Sequence, residues 1–127
     1  MERTLAILKP DCVRRGLVGK VLARIEAEGF KIRALKLIRL TDEEARRFYA
    51  VHQGKGFFES LIAFMTSGPC LPAILERDDA VEHWRAVLVE LRGELGADLT
   101  ENLVHGSDAA DTSAFECAYL FSGTEAV

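Results

Sequence analysis

The run Thr4-Leu5-Ala6-Ile7-Leu8 is apolar at four of its five positions and is stopped at once by Lys9-Pro10-Asp11. It is too short for a helix, and proline ends it, so it reads as a buried strand. A buried strand commits a chain to a sheet with other elements packed over it. The material for that is present: 127 residues, 49% of them hydrophobic, match one domain with a real core and exclude intrinsic disorder. We therefore expect residues 1–127 to form a single domain.

The other elements follow from spacing. Leu17, Val18, Val21, Leu22 and Ile25 share one helical face, with Gly29 as the stop. Residues 30–40 alternate in part and predict a long strand. Thr41 with Glu44 is a capping-box signature that opens a helix through Phe48 and Tyr49. After the break at Gly54-Lys55-Gly56, a second amphipathic helix carries Phe58, Leu61, Ile62 and Met65, and Gly68-Pro69 ends it. Residues 70–75 predict a strand whose Pro72 marks an edge or a bulge. Asp79 with Glu82 predicts another capping box, for a helix through Trp84, Val87 and Leu88. Residues 91–107 show no sustained period and predict mostly loop. A short helix at 111–116 and a last strand at 118–121 complete the chain. The order predicts an α+β fold: a ferredoxin-like βαββαβ sandwich with an antiparallel sheet and added helices.

Sixteen basic and twenty acidic side chains give a net charge of -4, which argues against a general nucleic-acid binder. A small anion is a different matter, since a few converging cations hold a phosphate on an acidic protein. No apolar run approaches the ~18 residues of a membrane span, and the start of the chain does not read as a signal peptide. Cys12, Cys70 and Cys117 are odd in number and far apart, which speaks against a disulfide scaffold or zinc knuckle and fits a reducing cytoplasm.

Polar residues outside the regular faces are the candidates for chemistry. Lys9 ends the first strand, where a strand tip meets a crevice, although an exposed strand-end lysine is the simpler reading. Arg85 shares a helix with Trp84, and Arg92 precedes Gly93. Each alone is an ordinary solvated charge, but a triphosphate needs about this many cations. Among the three histidines, His83 reads as a surface residue, and His52 either contacts an anion or caps a helix. His105 differs, because Gly106 follows it, Ser107 or Asp108 can cap the next helix, and Glu116 lies two turns along. Pattern alone still allows a satisfied loop histidine.

The segment Asn102-x-x-His105-Gly106-Ser107-Asp108, taken with Lys9-Pro10-Asp11, resembles the nucleoside diphosphate kinase family. Gly16-Leu17-Val18-Gly19, Phe57-Phe58, Ser67-Gly68-Pro69 and Arg92-Gly93-Glu94 extend the resemblance along nearly the whole chain. The resemblance implies transfer of the γ-phosphate of a nucleoside triphosphate to a nucleoside diphosphate, in ping-pong order, through a phosphohistidine on His105. It implies catalytic roles for His105, Glu116, Ser107 and Lys9. It further implies that Lys9 and Asn102 bond the ribose hydroxyls, and that Tyr49, His52, Arg85 and Arg92 line the phosphate path. Phe57 stacks on the base, with Leu99 facing it. Mg²⁺ carried by the nucleotide phosphates and a homo-oligomer built on a dimer are implied as well.

A second reading is a nucleotide-binding regulatory module of the same fold with little or no turnover. The sequence departs from the family pattern at Thr100-Glu101-Asn102, where Gly-Arg-Asn is usual, at Pro72 and at Cys12. Between Leu88 and Arg92 it lacks roughly ten residues, and with them a threonine phosphate contact and part of the surface that joins family hexamers.

Overall fold

A computed structural model describes residues 1–97 and 101–127. In chain order the elements are β1 (Glu2–Leu8), α1 (Pro10–Arg14), α2 (Val18–Ala27), β2 (Lys31–Leu35), α3 (Asp42–Phe48), a 3-10 turn (Ala50–His52), α4 (Phe58–Met65), β3 (Leu71–Arg77), α5 (Ala80–Leu95), β4 (Val104–Gly106) and α6 (Ala110–Leu120). The strands form one sheet in the order β2-β3-β1-β4, with every neighbouring pair antiparallel. This is the ferredoxin-like α+β sandwich, with α3 and α4 inserted between β2 and β3 and α6 following β4.

Strand β1 explains its own apolar sequence. Successive side chains of a strand point to opposite faces, and both faces are covered here. Ala6 and Leu8 enter a cluster with Val21 and Ile25 of α2 and Trp84, Val87, Leu88 and Leu91 of α5. Leu5 and Ile7 enter the other, with Phe48, Phe58, Ile62, Met65 and Leu120. β1 also lies between β3 and β4, so its C-terminal end, Lys9, opens at the centre of the sheet rather than at an edge.

The capping box at Thr41 is formed: Glu44 N–H donates to Thr41 Oγ1 at 3.1 Å, and Thr41 N–H to Glu44 Oε1 at 2.8 Å. The box expected at Asp79 is not. Asp79 takes a left-handed conformation (φ 54°), and Val81 N–H donates instead to Glu2 Oε1 of β1 at 2.8 Å. A tertiary carboxylate replaces the local cap.

Five further expectations are corrected. The strand expected over 30–40 pairs regularly only over Lys31–Leu35, because a bulge between Ile32 and Ala34 bends it and leaves an isolated Ile38–Cys70 bridge beyond. Pro72 sits in an interior strand, not at an edge. Its carbonyl accepts from Lys36 N–H past the end of β2, so its hydrogen-less nitrogen, on the same side, points beyond the regular β2 pairing. The loop expected over 91–107 is partly regular: α5 runs to Leu95, held by buried Leu91 one turn beyond Leu88 and stopped by Gly96 at φ 70°, and β4 follows. Residues 118–120 end α6 rather than form a strand, and the place on β1 belongs to β4. Neither Ser107 nor Asp108 caps α6. The Thr112 hydroxyl does, accepting from Ala109 N–H at 2.9 Å.

Candidate active site

A cleft of about 560 Å³ opens at the end of β1 and receives Lys9, Tyr49, His52, Phe57, Arg85, Arg92, Asn102, His105 and Glu116. Five separate stretches of sequence thus converge on one cavity. Ser107 lies just behind its wall, and Leu99 falls outside the described residues.

His105 is placed by β4, where it pairs with Ile7 of β1. Trp84 Nε1–H donates to its backbone carbonyl at 3.0 Å, fixing the strand from the α5 side. Gly106 makes that contact possible. A Cβ there would stand 2.7 Å from Leu88 Cδ2 and 2.8 Å from Trp84 Cδ1, so packing against α5 requires the glycine, which also lines the cleft. The ring of His105 meets Phe48 and Tyr49 edge-on, with centroids at 5.6 and 6.2 Å.

The imidazole is oriented by a carboxylate. His105 Nε2 lies 3.0 Å from Glu116 Oε1, and the Ser107 hydroxyl donates to that same oxygen at 2.7 Å. An ionised carboxylate only accepts, so Nε2 is the donor in this contact and Nδ1 is the ring nitrogen it leaves unengaged. Ser107, fully buried, also accepts from Leu5 N–H at 3.3 Å, which anchors the relay to β1.

Around this ring stand cations. Lys9 Nζ donates to Asn102 Oδ1 at 2.6 Å. Burial, and then Arg92 nearby, push the Lys9 ammonium down to about 8, partly offset by Asp11. Arg92 donates from Nε to the Asn102 carbonyl at 3.1 Å and from Nη2 to the Val104 carbonyl at 2.8 Å, so its fork braces the segment before His105. Arg85 is half exposed and pairs with Asp108 at 2.6 Å. The buried Tyr49 hydroxyl and His52 Nδ1 have no hydrogen-bond partner among the described residues. Phe57 projects 48% exposed at the mouth, whereas its neighbour Phe58 is buried in the core.

Sequence reasoning missed further participants, of which three bear on the site's shape. Leu61 and Phe64 line the cleft from α4, and their i+4 and i+7 spacing from Phe57 could have indicated it. The Asp11 carboxylate accepts from Leu103 N–H at 3.0 Å, and nothing local marks that contact across the chain.

A ferredoxin-like sandwich whose cleft sets an imidazole with a free ring nitrogen among an ammonium and two guanidinium groups defines a class of protein, the phosphotransferases. Comparison with known proteins narrows it. The family profile for nucleoside diphosphate kinase matches residues 2–126. A nucleoside diphosphate kinase of Syntrophotalea carbinolica is 47% identical, with 98% of each chain covered. The crystal structure of the Aquifex aeolicus nucleoside diphosphate kinase superposes with a TM-score of 0.95 at 40% identity, covering 99% of each chain. The structure of a halophilic nucleoside diphosphate kinase from Halobacterium salinarum in complex with CDP also gives 0.95, at 38% identity, covering 99% of this chain and 91% of that one. The chain belongs to the nucleoside diphosphate kinase family, enzymes that move a phosphoryl group between nucleotides.

The Syntrophotalea alignment runs over 135 positions but takes in 98% of these 127 residues, so about ten of its positions have no counterpart here. Helix α5 passes without interruption through Val89 and Glu90, where the sequence pattern locates the shortening.

Proposed function

We propose that Nδ1 of His105 attacks the γ-phosphorus of a nucleoside triphosphate bound as its Mg²⁺ complex. The N–P bond forms as the bond to the β,γ-bridging oxygen breaks, and the nucleoside diphosphate leaves with that electron pair. A second nucleoside diphosphate then enters the same cleft, and its terminal phosphate oxygen takes the phosphoryl group from His105. The observation that supports this reading is the Ser107–Glu116–His105 contact set, which engages Nε2 of a histidine lining the cleft and so makes Nδ1 the nitrogen left to react.

The other side chains fit that path. Lys9, Arg85 and Arg92 supply positive charge where the equatorial oxygens gather negative charge, with the unpartnered Tyr49 hydroxyl and His52 Nδ1 beside them. Mg²⁺ would be held by the nucleotide phosphates and would offset their charge there, because the cleft carboxylates Asp108 and Glu116 already pair with Arg85 and with Ser107 and His105. Lys9 with Asn102 meets the ribose hydroxyls. Phe57 stacks on the base, and stacking accepts any base. Leu99 opposite Phe57 completes that clamp in this reading.

We also infer a single domain working in the cytoplasm, in keeping with three free thiols, as a homo-oligomer built on a dimer through α2 and β2. Light scattering at micromolar concentration checks the assembly, and a monomer with full activity would refute it. The catalytic reading is tested by mixing the protein with γ-labelled triphosphate. Label retained in alkali, lost in acid and absent from H105A is the expected result. Full transfer by H105A would overturn it.

A further inference from the structure

Leu103 is a fully buried β-strand approach residue with φ at +70°, a left-handed conformation that a leucine side chain disfavours. Such a turn persists only where the surroundings over-determine it. Here both of its backbone polar groups are gripped from the junction of β1 and α1. The Leu103 carbonyl accepts from Lys9 N–H at 2.8 Å, and its N–H donates to Asp11 Oδ2 at 3.0 Å.

Asp11 itself is 4% exposed, and its second oxygen has no hydrogen-bond partner among the described residues. Burying a carboxylate with one oxygen unmatched is unfavourable, so a bond to a strained peptide is a specific return for it. The consequences of the turn lie on either side of Leu103. Before it, the Asn102 side chain is delivered to the Lys9 ammonium at 2.6 Å. After it, Val104 enters β4, and His105 arrives opposite Ile7 with its ring at Glu116.

We propose that Asp11 is a positioning residue for phosphoryl transfer: its carboxylate locks Leu103 in the left-handed turn that sets Asn102 against Lys9 and His105 against Glu116. The inference rests on the assignment of His105 as phosphoryl acceptor. Without the acceptor at position 11, the peptide before Leu103 rotates toward an ordinary conformation. Asn102 then swings off the ribose position, and His105 loses its register to Glu116. The predicted signature is a loss divided between KM, through Asn102, and kcat, through His105.

The test compares D11L, which fills the buried space but cannot accept, with D11N, whose amide oxygen can. D11L is expected to lower kcat/KM by about a hundredfold, the scale of an ångström-sized misplacement at a reacting site. D11N should recover most of it, to within about fivefold of the parent, because the bond to Leu103 N–H is restored. Amide hydrogen exchange supplies the second readout: faster exchange confined to residues 102–105 in D11L, with the β1–β3 ladder as slow as in the parent. If D11L does not fold, D11A is read by the same criteria. Parental kcat/KM in the folded variant lacking the acceptor, equal damage in D11N, or unchanged exchange at 102–105 would each overturn the proposal. H105A keeps the two readings apart. Transfer by H105A brings down the assignment of His105, whereas an inactive H105A beside a fully active D11L brings down only that of Asp11.

Discussion

Gly106 and Trp84 occupy one shared space: the indole fills the volume that a side chain at 106 would need, with Cδ1 2.8 Å from the site of a Cβ. Because Trp84 is fully buried and also bonds the His105 carbonyl, it has no room to withdraw. G106A is therefore expected to destabilise the fold by about 1–3 kcal/mol, as overpacking does, and to lower activity by tilting β4. Denaturant midpoints check the first effect, and a stability equal to that of the parent would contradict the packing account.

Glu116 meets the His105 ring at 3.0 Å, and in the proposed reaction it acts by orienting that ring. E116Q keeps an acceptor oxygen but loses its charge, so phosphoenzyme formation should slow by about ten- to a thousandfold rather than vanish. S107A should slow it too and also cost about 1–3 kcal/mol of stability, because Leu5 N–H then lies buried without its partner. Single-turnover labelling separates these from H105A, for which no label is expected.

The depressed Lys9 ammonium is expected to set the alkaline limit of activity. Below about 8 the group is protonated and bonds Asn102, and above that value the charge is lost. Expected is a fall in kcat/KM of about tenfold per pH unit beyond 8, not beyond the ordinary 10.5 of a lysine. The folded value lies below the unfolded one, so the contribution of this group to stability rises with pH between the two. A kcat/KM profile flat to pH 9.5 would exclude Lys9 as the titrating group.

The two arginines should not tolerate lysine equally. Arg92 uses its planar fork on two carbonyls, a geometry that an ammonium cannot reproduce. Arg85 meets a single exposed carboxylate. R92K is expected to lose at least about tenfold more kcat/KM than R85K, and equal losses would show that only charge matters at Arg92.

Much of this was legible in residue order because it is local. The apolar run of β1, the spacing of α2 and α4, and the Thr41–Glu44 box are each decided within a few residues, where periodicity and capping chemistry operate. The pairing of His105 with Glu116 belongs with them, since one helix carries the acid back to the strand before it. Other features have no local cause. The three residues of β4 become a strand because β1 offers them a free edge, and that edge leaves no place for residues 118–120 as a strand. Asp79 lost its capping role to a carboxylate on β1 that sequence distance hides. The Leu103 turn shows the division most plainly. A leucine in that conformation is unfavourable by every local rule, and it stands only because Lys9 and Asp11, from the far end of the chain, hold both of its peptide groups. Residue order determined which groups the site would contain; burial and backbone partners brought by the tertiary fold decided where each of them points.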